Sequence, residues 1–187
     1  MLNNLWNPSG GLLKNCKQIY QYLHRQGSAT RNRIKHNTGL TMSTLVRALS
    51  KLENAGLVYV SDTEDSEYGR KPRVYRICPD AGYVIGLDIS RTYTRAVLMN
   101  LDLQILQSST FGMIVDNTPE DTIQRIIRII HDFTDPLETD KILGIGLGVV
   151  GPFDEKKELI LNPSNFYAEG WKNVPIKRML RNEFNLP

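Results

Sequence analysis

The residues whose types and spacing best suit a definite chemistry lie in one stretch, Leu40 to Gly56, written LTMSTLVRALSKLENAG. Arg47 and Lys51 stand four residues apart, with Met42, Ser43 and Thr44 ahead of them. On a helix this gives a basic outer face with short hydroxyl side chains. Such a face suits insertion into a DNA major groove, where an arginine reads base edges and small residues permit close approach. A second candidate group is Gly69-Arg70-Lys71-Pro72, in which glycine lets the backbone come close and the two cations displace counterions from phosphates.

The elements needed to hold these residues can be read around them. Thr41 is placed to cap the helix, because its hydroxyl can accept a first-turn N–H. Leu45, Leu49 and Leu52 recur at i, i+4 and i+7 and form a buried stripe. Gly56 is placed to stop the helix at C′. An ordinary amphipathic surface helix carries the same pattern, so the neighbours must decide between the two readings. Leu12 to Arg25 predicts a first helix, with Leu13, Cys16, Ile19, Tyr20 and Leu23 on its apolar side and Gly27 at its end. Ser28 to Asn37 predicts a shorter second helix, and Thr38-Gly39 a tight turn into the third. Two helices joined by a short glycine-containing turn make a helix-turn-helix unit with the second as reader. Thr30 and Arg31 then fall where the DNA backbone would pass.

After Gly56 the apolar period changes to two. Leu57 to Val60 and Arg73 to Ile77 predict strands, and the polar loop between them carries Gly69, Arg70 and Lys71 at its end. Placed after a reader helix, such a hairpin serves as a wing, although a plain hairpin has the same pattern. Asp62, Glu64, Asp65 and Glu67 share that loop, so either they point away from DNA or the loop moves.

Charge follows the same division. Residues 1–80 hold 12 Lys/Arg against 6 Asp/Glu, whereas residues 81–187 hold 11 against 14, within a chain of 187 residues and net charge +3. A basic head on an acidic body is the balance of a nucleic-acid-binding module attached to a second domain. No apolar run approaches the roughly 20 residues of a membrane span. The N-terminus MLNNLWNPSGG lacks the pattern of a secretory signal. Cys16 and Cys78 lack metal-ligand spacing and read as reduced, mostly buried thiols, so a cytoplasmic protein without a metal site is expected.

Beyond Ala81-Gly82 the pattern predicts strands at Tyr83–Asp88, Thr92–Met99 and Gln104–Val115. A helix is expected from Thr118 to Phe133, with Thr118 as cap and Ile123, Ile126, Ile127 and Ile130 buried. Ile142–Val149 reads as a fully apolar buried strand, Leu159–Leu161 as a short strand and Pro175–Phe184 as a last helix. Together these predict a three-layer α/β unit.

The segments GRKPRVY, AGYVIGLDISRTYTRAVLMNLD, GIGLGVVGP, NPSNFYAEGW and NVPIKRMLRNEFNLP, in that order, resemble the ROK family of sugar-responsive transcriptional repressors and sugar kinases. The similarity is closest to the repressor branch, xylose- and N-acetylglucosamine-repressor-like, because the kinases lack a winged head. The resemblance implies an α+β / α/β chain. A winged helix-turn-helix domain would occupy residues 1–80, and residues 81–187 would form the incomplete N-terminal lobe of an actin-like (ribonuclease H-like) sugar-kinase domain. It implies binding of a double-stranded DNA operator as a homodimer, with a sugar as effector.

The family's kinases hold ATP phosphates with an Asp-x-Gly-x-Thr loop, and the matching positions are Asp88, Ser90 and Thr92. Ser90 stands at the glycine position and Arg91 where a second glycine is common, which implies a degenerate nucleotide-phosphate loop. Gly151, Ser164 and Asn165 match positions that touch sugar hydroxyls; a turn glycine and a loop-holding asparagine are the plain alternatives. The family's catalytic Asp and its zinc motif match nothing before Pro187, so the chain is expected to be the head plus about one lobe of a longer protein. No catalytic residue, no cofactor and a weak or lost sugar response are expected. The remaining alternatives are a sugar kinase and a regulator without effector response.

Overall fold

The computed structural model describes residues 9–61, 72–166 and 168–186. The chain divides into two compact units, residues 1–81 and 82–187.

In the first unit, α1 (Gly11–Gln26), α2 (Arg31–Thr38) and α3 (Met42–Asn54) pack on a small sheet of β1 (Ala29–Thr30), β2 (Val58–Ser61) and β3 (Val74–Ile77). Each long helix presents one i, i+3, i+4, i+7 stripe. On α1 this is Cys16, Ile19, Tyr20 and Leu23, and on α3 it is Leu45, Ala48, Leu49 and Leu52. Burying each leucine contributes about 1.5–3 kcal/mol, so the stripes decide how these helices sit. β3 lies between β1 and β2, antiparallel to both. The second helix starts three residues later than the sequence predicts. Ala29 and Thr30 are extended and pair with Tyr75 and Val74, and Thr30 then caps the helix by accepting from Arg33 N–H. A two-residue strand whose partner lies far along the chain leaves no periodic trace.

The second unit is built on a sheet ordered β6-β5-β4-β7, from β4 (Tyr83–Ile89), β5 (Tyr93–Asn100), β6 (Ile105–Gly112) and β7 (Ile142–Val149). The first three form an antiparallel meander. After α4 (Pro119–Thr134), β7 returns parallel to β4. β6 ends at Gly112, three residues before the expected Val115, because Asn117 Oδ1 accepts from Ile114 N–H and turns the chain. Thr118 caps α4, accepting from Asp121 N–H at 3.1 Å and donating to its carboxylate at 2.8 Å.

One sheet face is buried. Ile85, Leu87, Ile89, Ala96, Leu98 and Phe111 pack with Ile123, Ile126 and Ile130 of α4 and with Ile176 and Leu180 of α5 (Ile176–Phe184). Both helices therefore lie on the same side, and the described residues form two layers rather than the expected three. β7 is half-buried rather than fully buried. It is an edge strand among the described residues; Ile142 is buried in the core, and beyond it glycines alternate with Ile145, Leu147 and Val149, which are only partly buried against it. The hairpin β8 (Phe153–Asp154) and β9 (Leu159–Ile160) precedes α5.

Candidate nucleic-acid interface

Helix α3 is held at both ends by local chemistry. Thr41 Oγ1 accepts from Thr44 N–H at 3.3 Å, donates to Thr44 Oγ1 at 2.9 Å and lies 3.2 Å from Ser43 Oγ. At the other end Gly56 has φ 67°, Gly56 N–H reaches Glu53 O at 2.9 Å, and Leu57 N–H reaches Leu52 O at 3.0 Å. Those two bonds form a Schellman cap, and buried Leu52 and Leu57 supply its apolar contact. The turn before α3 is fixed as firmly: Gly39, at φ 67°, closes α2, and Gln18 of α1 donates to Thr38 O at 2.9 Å. Cys16 Sγ donates to Ala48 O at 3.6 Å, and burial pushes this thiol's pKa up, opposed by the charge of Lys51.

The outer face is what this scaffold presents. Met42, Ser43, Arg47 and Lys51 are exposed and Thr44 is half-buried. Among the described residues neither Arg47 nor Lys51 has an ion-pair partner. Ser43 and Thr44, expected at base edges, already share hydrogen bonds with the cap, although a hydroxyl keeps spare capacity for a further partner. Thr30 is spent as the cap of α2. Arg31, at the first position of that helix, donates from Nε to the Tyr75 hydroxyl at 2.7 Å, and its Cζ is 5.5 Å from the Tyr75 ring centroid. The sequence reading missed Tyr75, and no motif would have marked it. Gly69, Arg70 and Lys71 lie outside the described residues.

In the second unit Asp88, the penultimate residue of β4, is exposed, and its carboxylate accepts from the Tyr93 hydroxyl at 2.9 Å. Ser90 N–H bonds Tyr93 O at 2.8 Å, closing a tight hairpin over Ser90-Arg91-Thr92 in which no residue has positive φ. The backbone there accepts a Cβ without strain. Arg91 Nε donates to Ser164 O at 3.2 Å, which brings this hairpin to the loop carrying Ser164 and Asn165. Asn165 is left-handed at φ 53°, and Gly151 is exposed ahead of Pro152. An apolar groove of about 450 Å³ between β7 and α5 is lined by Leu147, Val149, Leu180 and Leu186 among others, and not by Gly151, Ser164 or Asn165.

Residues 84–187 match the ROK family, more than half of the chain. The chain belongs to the ROK family. Residues 10–80 match the family described as sugar-specific transcriptional regulator TrmB. The ROK chain is 26% identical over 175 residues to the xylose repressor of Bacillus spizizenii, a match covering 92% of this chain and 44% of that protein. It is 31% identical over 93 residues to the glucokinase of Thermotoga maritima, covering 50% of this chain and 28% of the enzyme. It thus spans less than half the length of these curated relatives. Its fold resembles that of a ROK family transcriptional regulator described as a homolog of the E. coli MLC protein. That match has a TM-score of 0.64 at 15% identity and covers 95% of this chain and 45% of the other.

Proposed function

We propose that this chain is a DNA-binding transcriptional regulator, a repressor of sugar-utilisation genes, and not an enzyme. The observation that carries the reading is the outer face of α3, where exposed Arg47 and Lys51 stand without an ion-pair partner among the described residues on a helix capped at both ends. Residues 1–80 act as the winged helix-turn-helix head. Arg47 reads base edges, helped by Met42, Ser43 and Thr44, while Lys51, Thr30 and Arg31 meet the backbone. Gly69, Arg70 and Lys71 reach phosphates or the minor groove. The head works as a homodimer in the cytoplasm, on half-sites about one helical turn apart.

Residues 81–187 serve as a sugar-sensing region, with Gly151, Ser164 and Asn165 as the effector contacts. Xylose is the first effector to try, given the relatives named xylose repressor. Effector binding would shift the population of head arrangements, which requires the sugar to prefer one of them. Asp88, Ser90 and Thr92 make a phosphate loop without its glycines, in which the acid already holds Tyr93. The glucokinase relative supports a sugar kinase as the second reading. A gel shift with DNA from upstream of the chain's own gene, repeated across salt concentrations, tests the first reading. A steep loss of binding with salt supports it. ATP-dependent phosphorylation of glucose or xylose in a coupled assay would favour the second.

A further inference from the structure

Tyr75 sits at the centre of the first unit's sheet, opposite Ala29 on β1 and Val60 on β2. The whole side chain, hydroxyl included, is buried at 0% exposure, and that hydroxyl accepts from Arg31 Nε at 2.7 Å. Arg31 opens α2, one residue after the Thr30 cap, and remains half-buried. A guanidinium has five N–H donors, and Tyr75 takes the one on Nε. The four on the two Nη atoms have no hydrogen-bond partner among the described residues. A planar fork fixed at its inner nitrogen is arranged for two parallel bonds to one phosphate.

We infer that Tyr75 is a positioning residue for DNA, holding Arg31 through Nε so that both Nη groups clamp a single backbone phosphate beside the first turn of α2. This rests on the reading of the chain as a DNA-binding regulator. A structural stitch between α2 and the sheet would use the same bond, and the two roles differ in the salt slope, which Arg31→Ala reduces only where the guanidinium meets a phosphate.

The test is a double-mutant cycle on the full chain with Tyr75→Phe, Arg31→Ala and the double variant. Affinity is read by fluorescence anisotropy on a fluorescein-labelled mixed-sequence duplex of about 30 base pairs, three helical turns, over a salt series. Melting curves accompany each variant. Arg31→Ala is expected to weaken binding about tenfold at low salt and to reduce the magnitude of the salt slope by about 1. Tyr75→Phe, which keeps the ring, is expected to weaken it about threefold and to have no effect in the Arg31→Ala background. Arg31→Lys keeps the charge but has no Nε, so the salt slope stays and the sensitivity to Tyr75→Phe disappears. Equal losses from Tyr75→Phe with and without Arg31 overturn the inference, as does unchanged affinity in both single variants while the parent chain binds. No binding by the parent chain at low salt overturns the regulator reading, and this inference with it.

Discussion

Helices α3 and α5 each carry a pair of cations four residues apart and treat them in opposite ways. On α5, Lys177 and Arg181 converge on Glu158, at 2.9 and 3.4 Å. On α3, Arg47 and Lys51 have the same spacing with no acid between them, and no ion pair among the described residues. Like charges at i and i+4 cost an isolated helix about 0.2–0.5 kcal/mol, so α3 bears a small penalty that α5 neutralises internally. A repulsion retained on an otherwise well-capped and well-packed helix points to an anion from outside. The α5 pair instead pins its helix to the β8–β9 hairpin.

The comparison is broken most severely by removing what holds α3 in place. Leu49→Ala, at a site with 0% exposure, is expected to destabilise the first unit by about 2–5 kcal/mol. Denaturant melts and hydrogen exchange should show protection lost from α3 and DNA affinity lost with it. Ile126→Ala opens the core of the second unit by a similar amount and is expected to leave the exchange protection of α3 in place. Gly56→Ala is a subtler probe. A Cβ there meets nothing within 4 Å, so the whole cost, about 1–2 kcal/mol, comes from the left-handed φ of 67°. Asparagine at that position should cost less than alanine in the same melt. Thr41→Ala removes the cap and is expected to cost about 1 kcal/mol while freeing Ser43 and Thr44 from the N-cap network.

The smallest effect tests the α5 side. The hydrogen bond from Lys177, helped by the charge of Arg181, lowers the Glu158 pKa below 4.5. A carboxylate with a depressed folded-state pKa contributes stability above its unfolded pKa and loses it as pH falls through the folded value. Stability should therefore decline below about pH 4.5, and Glu158→Gln should flatten that acid limb. The same substitution unmasks Lys177 and Arg181, so a slight rise in low-salt DNA binding without sequence preference is expected.

What was legible in the sequence follows the range of the forces involved. Thr41, the Leu45, Leu49 and Leu52 stripe, and Gly56 act within one helix, and each is where its type predicts. The same holds for Thr118 and for Ile123, Ile126 and Ile130 of α4, whereas Ile127 is only half-buried. The start of α2 lies later than its sequence predicts because Ala29 and Thr30 pair with β3, more than forty residues on. The apolar run of β7 predicts full burial because composition does not say which strand lies at an edge. At the interface, the sequence pointed to Arg31 but not to Tyr75, since a buried tyrosine whose hydroxyl serves a distant arginine looks like any core aromatic. The partnering of Ser43 and Thr44 with Thr41 is likewise a matter of rotamers rather than spacing.

The claim that the unneutralised pair on α3 is kept for DNA is tested most directly by Arg47→Glu. This change replaces the Arg47–Lys51 repulsion with an acid–base pair in the favourable helical order, so the melting temperature should hold or rise slightly. Binding to a labelled duplex, followed by anisotropy at low salt, should fall at least a hundredfold in the same sample. Affinity equal to that of the parent chain, with the fold intact, would contradict the account.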